Sequence, residues 1–238
     1  MGSDIFAQLY ETLLVEADVD REALVLDIGA KDGAIAAQLT ARLDCRVVAI
    51  DIEFTDGARA TDCDYLRGDG KRIPLADGAA DAVISNMVFE HVPDEERLIR
   101  DIARVVAPDG TFICICPNRA WPGDGHGYPP GMPWLPQALG RHVASPYDKR
   151  YDRSDDWYQE AYFPVWSVSV RRQLQRHFDT VAYRSGALLG TDLDESSVKQ
   201  RLLAAAADPL EKTLASRTGS RLVETAFPTA LYVARDPK

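Results

Sequence analysis

The sequence predicts an α/β fold on a mostly parallel sheet with helices on both faces, and three observations carry that expectation. Strand-like and helix-like segments alternate along the first half of the chain. The strand candidates are unbroken apolar runs rather than in-and-out alternations, the pattern of strands covered on both sides. A glycine-bearing turn, Gly29-Ala30-Lys31-Asp32-Gly33, joins a strand to a helix. Such a turn lets backbone N–H groups approach a ligand closely.

Each element follows from its own pattern. Ile5/Phe6, Leu9/Tyr10 and Leu13/Leu14 recur at helical spacing, so a helix falls within residues 1–20 with Ser3 or Asp4 as N-cap. A strand from Ala23 to Ile28, a helix from Ala34 to Arg42 and a strand from Arg46 to Ile50 ending on Asp51 come next. Short strands are expected near Tyr65-Leu66 and over Ala82 to Ser85. Asp94 begins a helix that turns Leu98, Ile99, Ile102 and Val105/Val106 inward and stops at Pro108-Asp109-Gly110. The strand Thr111 to Cys116 is closed by Pro117. Residues 117–165 then hold 8 of the 14 prolines, 3 of the 4 tryptophans and 5 of the 9 tyrosines. That mixture resists regular structure yet is too aromatic for a disordered linker, so it reads as an ordered insertion. Beyond it come a helix from Ser167 to His177, a strand Thr180 to Tyr183, a helical stretch Glu195 to Leu214 and a strand Ala230 to Val233.

Composition narrows the function. A chain of 238 residues with 46% hydrophobic content can bury a full core as one domain. No run approaches the ~20 apolar residues of a membrane span, and no secretory signal is visible, so a cytoplasmic protein is expected. Its net charge of −10 argues against nucleic acid and anionic membrane as partners. A small-molecule partner is expected, and a homodimer is left open. Cys45, Cys63, Cys114 and Cys116 have no metal-ligand spacing. Cys114 and Cys116 share one strand face and read as buried thiols. Asp124 and His126 offer two donors with one residue between them, too few to specify a metal, so none is expected.

Two acidic residues sharpen the glycine turn. Asp27 lies just before the glycines, where a dinucleotide-binding fold has an apolar residue. Asp51 ends the second strand, where a carboxylate can accept both ribose hydroxyls of a nucleoside. Alone, the turn also serves as a tight connection, and Asp51 also serves as a helix N-cap.

Here the chain resembles a known family. Val25-Leu26-Asp27-Ile28-Gly29-Ala30-Lys31-Asp32-Gly33 looks like the first motif of class I S-adenosylmethionine-dependent methyltransferases. The resemblance continues through Val48 to Asp51, Gly68 to Leu75, Asp77 to Asn86, Phe89-Glu90-His91-Val92-Pro93 and Val106 to Gly110, and it is similar to the type 11 group. It covers about half the chain. It implies a Rossmann-like, seven-stranded mixed sheet whose last strand, around Tyr232, is antiparallel and inserted beside the fifth. It also implies S-adenosyl-L-methionine as cofactor. Asp27 would then lie near the cofactor's amino-acid end, and Gly29 and Gly33 would make room for it. Asp51 would take the ribose with Ile52 beside it, and Asp69 with Gly70 would meet the adenine edge. Ser85 and Asn86 would flank the methionine moiety. Lys31 departs from the family, which commonly has a glycine there, and Asp32 stands where a small or hydroxyl residue is usual. Side chains at these positions must point away from the cofactor.

The acceptor side is less determined. His91 is a candidate to orient or deprotonate an acceptor, or to pin the loop before the Asp94 helix. The insertion at 117–165 is expected to form an acceptor pocket or lid walled by Trp121, Tyr128, Trp134, Trp157 and Tyr158. In Gly123-Asp124-Gly125-His126-Gly127, His126 is a second candidate base. The expected reaction is methyl transfer to a small molecule, O-methylation of a natural product, sugar or lipid-linked glycan, with N- and C-methylation open. One alternative is an NAD(P)-dependent oxidoreductase, disfavoured because Lys31 breaks the G-x-G-x-x-G spacing. Another is a non-catalytic nucleoside-binding regulatory protein.

Overall fold

The computed structural model describes residues 3–53, 63–123, 126–151, 161–163, 165–185, 187–188 and 229–238. Seven strands form one sheet: β1 (Leu24–Ile28), β2 (Arg46–Asp51), β3 (Asp64–Arg67), β4 (Ala80–Asn86), β5 (Val106–Pro117), β6 (Phe178–Tyr183) and β7 (Thr229–Pro237). Their order is β3-β2-β1-β4-β5-β7-β6. The first five strands pair in parallel, and β7 runs antiparallel between β5 and β6. This is the expected Rossmann-like mixed sheet.

Among the described residues, α1 (Ser3–Val15), α2 (Ala34–Leu43) and α3 (Glu95–Val105) pack on it, α4 (Gln137–Arg150) lies in the insertion, and α5 (Ser167–His177) packs on it again. Period-two alternation along the strands sends Val25, Val47, Ala49 and Ile84 to the face covered by α1 and α2. Leu26, Val48, Ile50 and Val83 face Leu98 and Ile102 of α3 and Val170 and Leu174 of α5. Cys114 and Cys116 are fully buried on that second face, and burial pushes both thiols well above their ordinary pKa.

Several expectations are corrected. Helix α1 already includes Ser3, whose hydroxyl accepts from the Gln38 amide at 3.0 Å, while Asp4 pairs with Arg42 at 2.7 Å. Both residues therefore bind α2 rather than cap α1. Asp94 does cap α3, accepting from the Arg97 N–H at 3.0 Å. However, α3 ends at Val105 and β5 starts at once, with Pro108-Asp109-Gly110 absorbed where the pairing jumps from Ala80↔Val106 to Ala82↔Thr111. The turn residues thus make a bulge rather than a loop. The insertion is also more regular than its prolines predict, since it contains α4. Gly140, Ala144 and Asp148 recur every fourth residue as the buried stripe of that helix. Ala144 packs with Tyr128, Met132 and Tyr162 in a small core of the insertion's own. That packing outweighs Pro146 inside the helix. The expected helix from Glu195 to Leu214 lies outside the described residues.

Candidate functional site

The carboxyl ends of β1, β2 and β4 meet at the glycine turn, where an open α/β sheet binds its ligands. Register places Asp27 beside Ile84 and Ile28 beside Ser85. The Gly29 and Ala30 N–H groups donate to the Ile50 carbonyl at 2.8 and 3.2 Å, clamping the turn to β2. Gly33 sits at φ +72°, and an added Cβ would stand 2.3 Å from the Tyr65 hydroxyl oxygen. That hydroxyl donates to the Asp32 carbonyl at 2.8 Å, so only glycine fits.

Lys31 takes the place of a glycine by adopting a glycine's conformation. Its φ is +58° and its side chain is exposed. Its N–H donates to Asp51 Oδ2 at 2.8 Å, and the Glu53 N–H reaches Asp51 Oδ1 at 3.0 Å. These two bonds hold the Asp51 carboxylate at the end of β2 with lone pairs left over for further donors. Ile52, next to it, is 61% exposed, an apolar surface beside the acidic one.

Asp27 is buried at 2% exposure, and its Oδ2 has no hydrogen-bond partner among the described residues. Burial first, then the nearby Asp51 and Asp32, push its pKa up to about 7, against a lowering contribution from the Ala36 N–H at the start of α2. Ser85 Oγ and Asn86 Oδ1 are likewise buried without partners. Buried polar atoms are nearly always satisfied, so three orphans at adjoining strand ends mark a place for a polar ligand. An amino-acid-bearing, cationic nucleoside supplies such partners, and the donor set fits S-adenosyl-L-methionine. Asp69 accepts from the Lys71 N–H at 2.9 Å. A Cβ on Gly70 would lie 2.8 Å from Leu98 Cδ1 and 3.0 Å from Ile28 Cγ2. Gly70 is thus packed closely against the side chains of Leu98 and Ile28.

Two supports were invisible to sequence reading. The Tyr10 hydroxyl, fully buried, donates to the Ser85 carbonyl at 2.8 Å and so fixes the end of β4 from α1. Arg104 donates to Asp101, Asp77 and the carbonyls of Ile73 and Leu75, each at 2.8 Å, tethering the segment that follows Asp69-Gly70 to α3. The signal for Arg104 was a basic residue on an acidic, amphipathic helix. Nothing local marked Tyr10.

The acceptor-side candidates come together. A 3-10 turn, Phe89–His91, follows β4, with Glu90 buried at 1% exposure. Burial raises the Glu90 carboxyl pKa to about 7. Val88, just before the turn, fills the space against Gly29. His91 Nδ1 bonds the Ala161 carbonyl at 2.5 Å, and the Phe163 N–H donates to the Glu90 carbonyl at 2.6 Å, so the insertion's return limb is strapped to this turn. His126 meets His91 edge to face, ring centroids 5.4 Å apart, and Tyr162 at 4.9 Å. The two alternative bases read from sequence thus form one cluster. Tyr128 is buried in the insertion's own small core, and its hydroxyl donates to Asp148 Oδ1 at 2.5 Å. Trp121 and Trp134 are exposed, while Asp124, Trp157 and Tyr158 lie outside the described residues.

Residues 26–114 match a family described as "Methyltransferase domain". An uncharacterized methyltransferase of Mycobacterium sp. (strain KMS) is 32% identical over 112 residues, covering 45% of this chain and 43% of that protein. A sarcosine/dimethylglycine N-methyltransferase of Halorhodospira halochloris is 30% identical over 109 residues, 42% of this chain and 39% of its own length. The chain thus spans less than half the length of these relatives. A phosphoethanolamine N-methyltransferase 2 of Haemonchus contortus, solved with S-adenosyl-L-methionine, superposes with a TM-score of 0.58 at 16% identity, over 97% of this chain and 52% of its own. No helix among the described residues is long and apolar enough to cross a membrane.

Proposed function

Residues 26–114 belong to the class I S-adenosylmethionine-dependent methyltransferases, whose cofactor is S-adenosyl-L-methionine, and from that premise we propose that this chain methylates a hydroxyl on a small molecule. The observation that carries the reading is the buried, half-satisfied Asp27 carboxyl beside the orphaned polar atoms of Ser85 and Asn86. When bound, the cofactor supplies a methyl group on a sulfonium, a good leaving group. What remains for the protein is orientation, which can be worth roughly 7–11 kcal/mol.

Asp27, Ser85 and Asn86 hold the amino-acid end, Asp51 takes the ribose hydroxyls with Ile52 against the base, and Asp69-Gly70 bounds the adenine. Gly29 and Gly33 keep side chains out of the turn. The insertion at 117–165 closes the acceptor side, because its return limb is bonded to the 89–91 turn. On this reading His91 and His126 serve the acceptor side, one of them taking the proton that an acceptor hydroxyl gives up. His91 Nδ1 faces a carbonyl, which can only accept. Nδ1 is therefore the donor, which in the neutral ring leaves the lone pair on Nε2. Natural products, sugars and lipid-linked glycans supply hydroxyl acceptors of this kind. The net charge of −10 disfavours nucleic acid.

Titration calorimetry with S-adenosyl-L-methionine, S-adenosylhomocysteine and NAD tests the reading. The first two should bind and NAD should not. Binding of NAD alone would replace the proposal with a dehydrogenase. Binding of all three without turnover on a hydroxyl-compound panel would favour a regulatory nucleoside-binding protein.

A further inference from the structure

We propose that Glu90, His91 and His126 form a binding site for a divalent transition metal ion, which the spacing of residues along the chain does not announce. The three side chains each bring one ligand atom, and these atoms lie within 4.8 Å of one another. Donors bound about 2.0–2.1 Å from an ion stand ~3–4 Å apart, so shifts of about an ångström close the set. Two imidazoles and one carboxylate suit borderline ions such as Zn2+ better than Mg2+ or Ca2+.

Two observations beyond the clustering point to an ion. Glu90 is 1% exposed, and its Oε2 has no hydrogen-bond partner among the described residues. A carboxylate buried that deeply is stable only when paired with a cation or protonated. His91 Nδ1 lies on the Ala161 carbonyl, the kind of outer partner that holds the ring of a metal-binding histidine in place. The donors come from two segments, the 89–91 turn and the insertion loop at 126, so the ion would also staple the insertion to the sheet. Three protein donors leave a coordination position open, as sites that bind a substrate oxygen do. The proposal changes what the two histidines do and does not depend on methyl transfer occurring.

Calorimetry with ZnCl2 on protein freed of any histidine tag, with Co2+ spectra in parallel, tests it. One Zn2+ should bind per chain. His126→Ala and Glu90→Gln should each weaken it by at least about ten-fold, with circular dichroism and Tm confirming the fold. His142→Ala/His177→Ala, which removes the other two histidines, should leave binding unchanged. The Co2+ spectrum should lack thiolate charge-transfer bands. The proposal is overturned if no Zn2+ binds, if folded His126→Ala binds it as tightly as wild type, or if only the His142→Ala/His177→Ala variant loses it. S-adenosyl-L-methionine titrations on the same samples separate the readings. Their failure would sink the methyltransferase proposal and leave the Zn2+ result standing.

Discussion

Asp27 and His126 stand on two different kinds of scaffold. Asp27 lies in β1, hydrogen-bonded on both sides to β2 and β4, with strand ends, Tyr10 and the clamped glycine turn fixing everything around it. His126 rests on a loop of the insertion, held by ring contacts with His91 and Tyr162. The limb that carries Tyr162 is tied to the sheet through Ala161, Phe163 and Val165. The first region is rigid because the sheet is. The second depends on a small core of four residues, Tyr128, Met132, Ala144 and Tyr162. The division teaches that cofactor affinity and turnover should be separable by mutation.

The widest separation should come from His126→Ala. Turnover on a hydroxyl acceptor should fall by about 10²-fold or more, while cofactor affinity, by calorimetry, stays within about two-fold. An equal loss of both would erase the division. Asp51→Ala probes the other side. Hydrogen bonds to a charged group contribute about 1.5–3 kcal/mol each, so binding of S-adenosyl-L-methionine should weaken at least ten-fold while circular dichroism shows the fold intact. Unaltered affinity would remove Asp51 from the site.

Asp27 gives a pH signature. In the folded chain its carboxyl keeps its proton up to about pH 7, against 3.8 unfolded. Between these values the native state binds more protons, so the apoprotein loses stability as pH climbs from about 4 to 7. Asp27→Asn should flatten part of that decline and stabilise the apoprotein above pH 7 by about 2 kcal/mol in urea unfolding. A cationic ligand prefers the carboxylate, so wild-type affinity for S-adenosyl-L-methionine should rise as pH passes 7, and the variant should not show that rise. A variant that follows the wild-type pH curve would place the titrating group elsewhere. Smallest is Tyr128→Phe, which deletes the bond to buried Asp148. It should cost about 1–2 kcal/mol, read as faster proteolysis within the insertion while the sheet stays protected from hydrogen exchange. Loss of protection in the sheet would show that the two regions fold as one.

What was legible in the sequence follows the same division. Apolar runs placed the strands of the first half, because a strand buried on both faces must be apolar throughout. Gly33 and Asp51 were readable because a left-handed turn and a strand-end carboxylate are local requirements. The order β5-β7-β6 came from family resemblance, since no local pattern orders strands that far apart. In the insertion, composition misled. Proline content argued against α4, whereas its buried stripe of Gly140, Ala144 and Asp148 was too polar and small to register as an amphipathic face. The meeting of Glu90, His91 and His126 joins segments more than thirty positions apart in sequence, with the strap at 161–163 touching both histidines.

The seat of β7 also has a consequence for biosynthesis. Thr111 of β5 donates to the Ala234 carbonyl, 123 residues further along the chain. At ribosomal speeds of about 5–20 residues per second, that gap lasts roughly 6–25 s. Throughout it, Phe112 to Cys116 have their hydrogen-bonding edge toward β7 unpaired, in a stretch buried in the finished protein. Such an edge templates association between nascent chains. The interval before residue 234 emerges is therefore when this protein is most prone to aggregate, and when a ribosome-associated chaperone would matter most to its yield.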